Sequence, residues 1–170
     1  MIKFKLITFL LRKCMELEDL LLEYGRSKQL GRLQLDSSGL CTLLMNGHYL
    51  ITFEKSLDQE GFYLYSSVGS LPLEKEEGIS LMALKGNLFG RETGRASLGY
   101  VEQTRSLVLF EYFDKNELNY LQFIQRLNKF IKYLFYWITK LKAFISQDMD
   151  KKAAVEFRPT FHPSKKIFYA

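Results

Sequence analysis

The chain has 170 residues, 47% of them hydrophobic and 15% aromatic, with 24 Lys and Arg against 19 Asp and Glu, two Cys and two His. That length suits one domain, and the apolar content excludes a disordered chain. Two thiols, Cys14 and Cys41, are too few to staple a fold or to complete a tetrahedral zinc site, and they are expected to be reduced.

The formal charge of +5 is unevenly spread. Residues 1–14 carry four bases and no acid, residues 151–170 carry five bases against Glu156, and residues 15–150 hold a balance of −3. The apolar run Leu6 to Leu11 is short for a signal sequence, and Arg12-Lys13 follow where small residues would set up cleavage. Residues 1–14 are therefore expected to be a dispensable basic extension, with Met15 a candidate start. Residues 15–146 are expected to form the domain, and residues 147–170 a flexible basic tail.

From Glu16, apolar positions Leu17, Leu20, Leu21 and Tyr24 recur at helical spacing, with acids in the first turn where the helix dipole favours them. Two apolar runs follow, Leu40 to Met45 and Tyr49 to Phe53, joined through Asn46-Gly47, the commonest type I′ hairpin dipeptide. A third strand is expected over Phe62 to Val68, ending at Pro72. Glu74 to Leu88 has the pattern of a short helix, with Ile79, Met82, Ala83 and Gly86 on one face. Strands are expected over Ala96 to Val101 and Leu107 to Phe113. Asp114 and Glu117 then resemble a capping box for a last helix of about thirty residues, roughly 45 Å long. The order helix, three strands, helix, two strands, helix defines an α+β domain with a mostly antiparallel sheet.

Catalytic machinery is hard to assemble from these residues. His48 sits at a hairpin tip and His162 in the Pro-bounded tail, so neither joins a nucleophile or a metal cluster in any pattern the sequence supports. The glycine-rich stretch from Gly86 to Gly99 fails as a phosphate loop: its spacing is short, Arg95 and Ala96 replace the required Lys and Ser/Thr, and it leaves a helix rather than opening one. No enzyme and no cofactor is expected.

The strands, however, are apolar on both faces. Leu107, Leu109 and Phe113 alternate with Val108, Phe110 and Tyr112, and Leu40 and Leu44 alternate with Leu43 and Met45. A second apolar face needs a cover from helices, a subunit or a bound chain. In the last helix Arg126, Lys129 and Lys132 interleave with aromatics. That pattern suits the wet side of an amphipathic core helix, with a nucleic-acid or membrane-surface module acting through this helix and the tail as the alternative.

Taken in order, Glu16 to Gly25, Gly86-Asn87-Leu88-Phe89-Gly90, Thr93 to Gly99 and the long helix with Phe135-Tyr136-Trp137 at its centre resemble the class I type III secretion chaperones of the CesT/SycE (Tir chaperone) family, over about Met15 to Phe144. The resemblance implies a bacterial cytoplasmic protein that dimerises with itself or a related chaperone. It would bind the N-terminal segments of secreted effectors, hold them extended and secretion-competent, and deliver them to the export ATPase, a virulence role without nucleic acid or membrane insertion. The family's dimer helix corresponds to Glu74 to Leu88, with Ile79, Met82, Ala83 and Gly86 as the contact face. Its effector-binding surfaces point to Leu17, Leu21, Tyr24, Leu43, Met45, Phe53 and Phe110.

Overall fold

The computed structural model describes residues 14–156 of the chain. Its elements are α1 (Leu17–Ser27), β1 (Leu40–Met45), β2 (Tyr49–Lys55), β3 (Gly61–Ser70), α2 (Glu76–Asn87), β4 (Ser97–Val101), β5 (Ser106–Asp114) and α3 (Tyr120–Glu156). This is the expected αβββαββα order. The five strands form one sheet in the order β1-β2-β3-β5-β4, and all four pairings are antiparallel. Residues 1–13 and 157–170, which hold most of the expected basic ends, lie outside the described residues. The tail expected from residue 147 begins inside α3, which continues to Glu156.

Local chemistry explains most of the element boundaries. α1 has Glu18 and Asp19 in its first turn and Arg26 in its last, matching the helix dipole at both ends. The β1–β2 hairpin turns through Asn46 and Gly47, whose φ values of 50° and 72° are both positive as a type I′ turn demands. His48 follows as an extra residue, its N–H donating to Met45 O at 3.1 Å.

The start of α3 differs from expectation in detail. Asp114 accepts from Asn116 N at 2.8 Å and so caps a short 3₁₀ turn, Lys115–Glu117. The reciprocal capping box belongs to the next pair: Gln122 N donates to Asn119 Oδ1 at 3.0 Å and Asn119 N to Gln122 Oε1 at 2.9 Å. Both pairs have the right spacing; only the break at Leu118, an extended residue between the two helical turns, decides which one starts the long helix.

A single apolar cluster holds the helices to the sheet. It draws Leu17, Leu20 and Leu21 from α1, Ile79 and Ala83 from α2, and Phe123, Phe130, Leu134 and Trp137 from α3. The buried strand residues Cys41, Ile51, Phe53, Phe62, Leu64, Leu109 and Phe113 share one face by register, hereafter the inner face. Aromatic rings dominate its centre, where Phe62 stacks on Phe113 at 4.9 Å between centroids and Phe53 lies 6.0 Å from Phe123. The described residues thus form two layers, with the core on one side of the sheet.

Candidate functional site

The outer face of the sheet is where the unspent apolar surface lies. Leu44 and Leu50 are directly paired across β1 and β2, and they remain 62% and 57% exposed. Beside them Thr42 and Thr52 share a hydrogen bond of 3.0 Å, and the next strands add Tyr65 opposite Phe110 and Tyr63 opposite Tyr112. The Tyr63 and Tyr112 rings are 5.2 Å apart. Partial burial, with help from a hydrogen bond to Glu54, pushes the Tyr65 phenol up to about 12, so it stays a neutral hydrogen-bonding group on this face. The result is an open surface of leucines and aromatic rings edged by hydroxyls.

The two edge strands are finished differently. β1 pairs with β2 alone; at its start Asp36 N donates to Leu40 O and Leu40 N to Asp36 Oδ1, at 2.8 and 3.0 Å. At the β4 edge, Asn87 at the end of α2 stands in for a neighbouring strand: its Nδ2 donates to Leu98 O at 2.9 Å and its Oδ1 accepts from Leu98 N at 2.7 Å. The chain then turns through Phe89 and Gly90, both at positive φ, and Phe89 is 90% exposed. This confirms the glycine-rich stretch as a helix stop and turn into a strand.

α2 has two unlike sides, and the expected contact face is the inner one. Ile79, Ala83 and Gly86 are buried within the chain, and Met82 packs half-buried against the core. Gly86 lies so close to α3 that a Cβ there would clash with Trp137 Cζ2. Small residues do admit close approach of another helix, but the helix they admit is α3 of the same chain. The side of α2 left open carries Leu81 and Leu84, continued by Leu88 and Phe89, all at least half exposed.

The predicted effector-binding residues divide in the same way. Leu17, Leu21 and Phe53 are core residues, at most 3% exposed, and Tyr24, Leu43 and Met45 are half-buried against that core. Phe110 alone of the set lies on the outer face in the open, at 36%. The reason is parity: a strand's alternation separates two sets of residues without saying which set meets the helices. In the hairpin a signal did exist, since Thr42, Thr52 and Glu54 mark the set that includes Leu44 and Leu50 as the wetter one. In β5 the signal misleads, because the charged Glu111 faces inward with Leu109 and Phe113.

Glu111 is held by Arg126 of α3, whose Nε and Nη2 lie 2.8 and 2.7 Å from Glu111 Oε1. Arg126 also donates to Tyr112 O at 2.6 Å and stacks 3.8 Å over the Phe113 ring. Burial pushes the Glu111 carboxyl above the ordinary range, although the Arg126 hydrogen bond opposes the shift. Further along α3, Trp137 Nε1 donates to Glu92 O at 2.8 Å, and Lys140 pairs with the Glu92 carboxylate. That hydrogen bond from Lys140 holds Glu92 below the ordinary carboxylate range. These contacts fasten the loop between α2 and β4 onto α3.

Phe123, Phe130 and Trp137 of α3 are core residues, fully buried, while Tyr136 is exposed and Lys129, Lys132 and Lys142 lie on the exposed side. His48 is exposed at its hairpin tip, Cys14 is exposed and Cys41 is buried, with burial raising its thiol pKa. His162 lies outside the described residues. No helix among the described residues is long and apolar enough to cross a membrane, and no group of three or more His, Cys, Asp or Glu among them is placed to hold a metal ion.

The fold first defines a class. A chain of the ExsC–ExsE complex matches with a TM-score of 0.63 at 22% identity, covering 74% of this chain and 96% of that one. A chain of the HopA1–SchA chaperone–effector complex gives 0.60 at 16%, covering 72% and 92%. A chain of the heterodimeric ExoU–SpcU complex from the Pseudomonas aeruginosa type III secretion system gives 0.54 at 18%, covering 75% and 96%. The architecture is that of the type III secretion chaperones. Sequence then sets the family: the model of the Tir chaperone protein (CesT) family matches residues 19–137, and this chain belongs to that family. A Chlamydia pneumoniae protein is also 28% identical over 110 residues, which span 64% of this chain and 82% of the relative.

Proposed function

We propose that the protein is a type III secretion chaperone that binds the N-terminal segment of one or more effectors on the outer face of its sheet. The observation that carries this reading is the exposed Leu44–Leu50 pair with Phe110 and its flanking tyrosines, on a sheet whose helices all pack on the other side. An extended segment laid there places alternate side chains among Leu44, Leu50 and Phe110. At an edge strand, main-chain hydrogen bonds add affinity that does not depend on effector sequence. Neither step needs hydrolysis or a cofactor. The bound segment is kept from folding and handed on, with delivery to the export ATPase as the final step.

Two copies supply twice the wrapping length, and the dimer contact we assign to the outer side of α2, through Leu81, Leu84, Leu88 and Phe89. An exposed row of leucines ending in a bare phenylalanine is unfavourable in a monomer and is relieved by a second copy. Co-purification from the parent cell tests the reading: an effector should be captured, capture should vanish when the effector's N-terminal segment is deleted, and light scattering should report a dimer. A monomer that captures no effector would overturn it. Leu84→Glu with Phe89→Glu should shift the dimer to monomer while each copy stays folded by circular dichroism.

A further inference from the structure

A second surface lies on the helix side of the molecule. Between α3 and the loop Thr93–Arg95 is a cleft of about 780 Å³, with Glu111 of β5 and Arg126 in its lining. Its cations come from two directions: Arg95 from the loop, and Arg126, Lys129 and Lys132 from successive turns of α3. Glu111 and the exposed Glu117 are its acids, so four positive charges face two negative ones. Arg126 is the main partner of Glu111; Arg95 reaches it at 4.0 Å and Lys129 acts on it through space, while Lys129 and Lys132 form no ion pair among the described residues. Thr93 in the cleft wall is 1% exposed, and its hydroxyl has no hydrogen-bond partner among those residues.

We propose that this cleft takes an acidic segment of a bound effector, its carboxylates paired by Arg95, Lys129 and Lys132; the inference rests on the chaperone reading above. Charge decides the occupant. The chain's own ends are basic, with four bases and no acid in residues 1–14 and five bases against one acid in residues 151–170, so neither complements the cleft. A long nucleic acid is disfavoured because residues 15–114 hold nine bases against fifteen acids, and the cleft itself contains two carboxylates. A short acidic stretch meets the local positive patch without crossing the acidic body, and it anchors an effector on the helix side while the sheet holds another part.

The test uses the full chain and a short fluorescein-labelled peptide alternating Glu and Leu, followed by anisotropy at low and physiological salt. Binding should be saturable, and about tenfold weaker for the Gln/Leu counterpart. Lys129→Glu with Lys132→Glu, both solvent-facing, should weaken it by a similar factor and admit a Lys/Leu peptide instead. Arg95→Gln serves as an independent variant on the opposite wall. Equal binding of the Glu and Gln peptides, insensitivity to these changes, or preference for a single-stranded RNA over the Glu peptide would overturn the proposal. The chaperone reading fails separately. If the charge-reversed protein captures its effector at full affinity while Leu44→Asp with Leu50→Asp does not, the cleft proposal falls and the sheet-face reading stands. If neither variant changes capture, both fall.

Discussion

The two faces of the sheet are made from alternate residues of the same five strands, and they have opposite fates. On the inner face Phe53, Phe62 and Phe113 are all but inaccessible to solvent, and Phe62 and Phe113 stack ring on ring. On the outer face Leu44, Leu50 and Phe110 are apolar side chains that the described chain leaves in water. Hydrophobicity by itself does not separate them. What separates them is where three helices land, and a sheet with helices on one side buries only every second residue. The apolar residues left over are a cost to the free protein and a resource for a partner. The same division recurs in α2, where Ile79, Ala83 and Gly86 serve the fold and Leu81 and Leu84 do not.

Substitutions on the two faces should therefore break different things. The largest effect on stability is expected from Trp137→Ala, which empties a fully buried site beneath α2 and removes the hydrogen bond to Glu92 O; a loss of about 3–5 kcal/mol should appear in urea denaturation. Arg126→Met should cost a comparable amount at neutral pH, on the order of 3–5 kcal/mol, because it strands Glu111 as a buried anion. Gly86→Ala, which forces a methyl toward the Trp137 ring, should cost about 1–3 kcal/mol and lower the thermal midpoint without altering the oligomeric state.

A smaller effect is expected from pH. The folded protein holds the Glu111 proton more tightly than the unfolded chain does, since burial raises its pKa. That contribution is fully present below the ordinary carboxylate pKa and is lost as pH rises through the raised value. Glu18 and Glu92, held below the ordinary range by Lys55 and Lys140, contribute with the opposite sign, so the Glu111 component is read as a difference: the urea midpoint of the native protein relative to Glu111→Gln should fall as pH rises across this window. Small for stability should be Leu44→Asp with Leu50→Asp, on the order of 1 kcal/mol in total, because both side chains already stand largely in water and the main cost is two like charges set opposite each other across β1 and β2. The same double change should abolish effector capture. A pair that instead unfolded the protein would show that the outer face is part of the fold and would erase the contrast between faces.

Much of this molecule was legible in its residues. Asn46-Gly47 located the hairpin because few dipeptides accept two positive φ values, and the acids of α1 and the stop after Asn87 followed from rules that act within a few residues. The ordered motifs from Glu16 to Trp137 point to the family whose model matches residues 19–137. The individual contact residues were not legible. Leu17, Leu21 and Phe53 were expected at a binding surface and lie in the core, because apolar character is shared by both destinations.

What the sequence by itself determined is the order of elements, the antiparallel sheet and the presence of more apolar strand surface than one helical layer can cover. These follow from local backbone chemistry and from the period of two along each strand. Only the tertiary structure decided the sign of that alternation, putting Glu111 inside with Arg126, turning Gly86 onto Trp137, and leaving Leu44, Leu50, Leu84 and Phe89 outside. The physical reason is that a face is defined by what packs against it. Those partners, α3 above all, come from residues far away in the chain, and no local pattern encodes which side they will take.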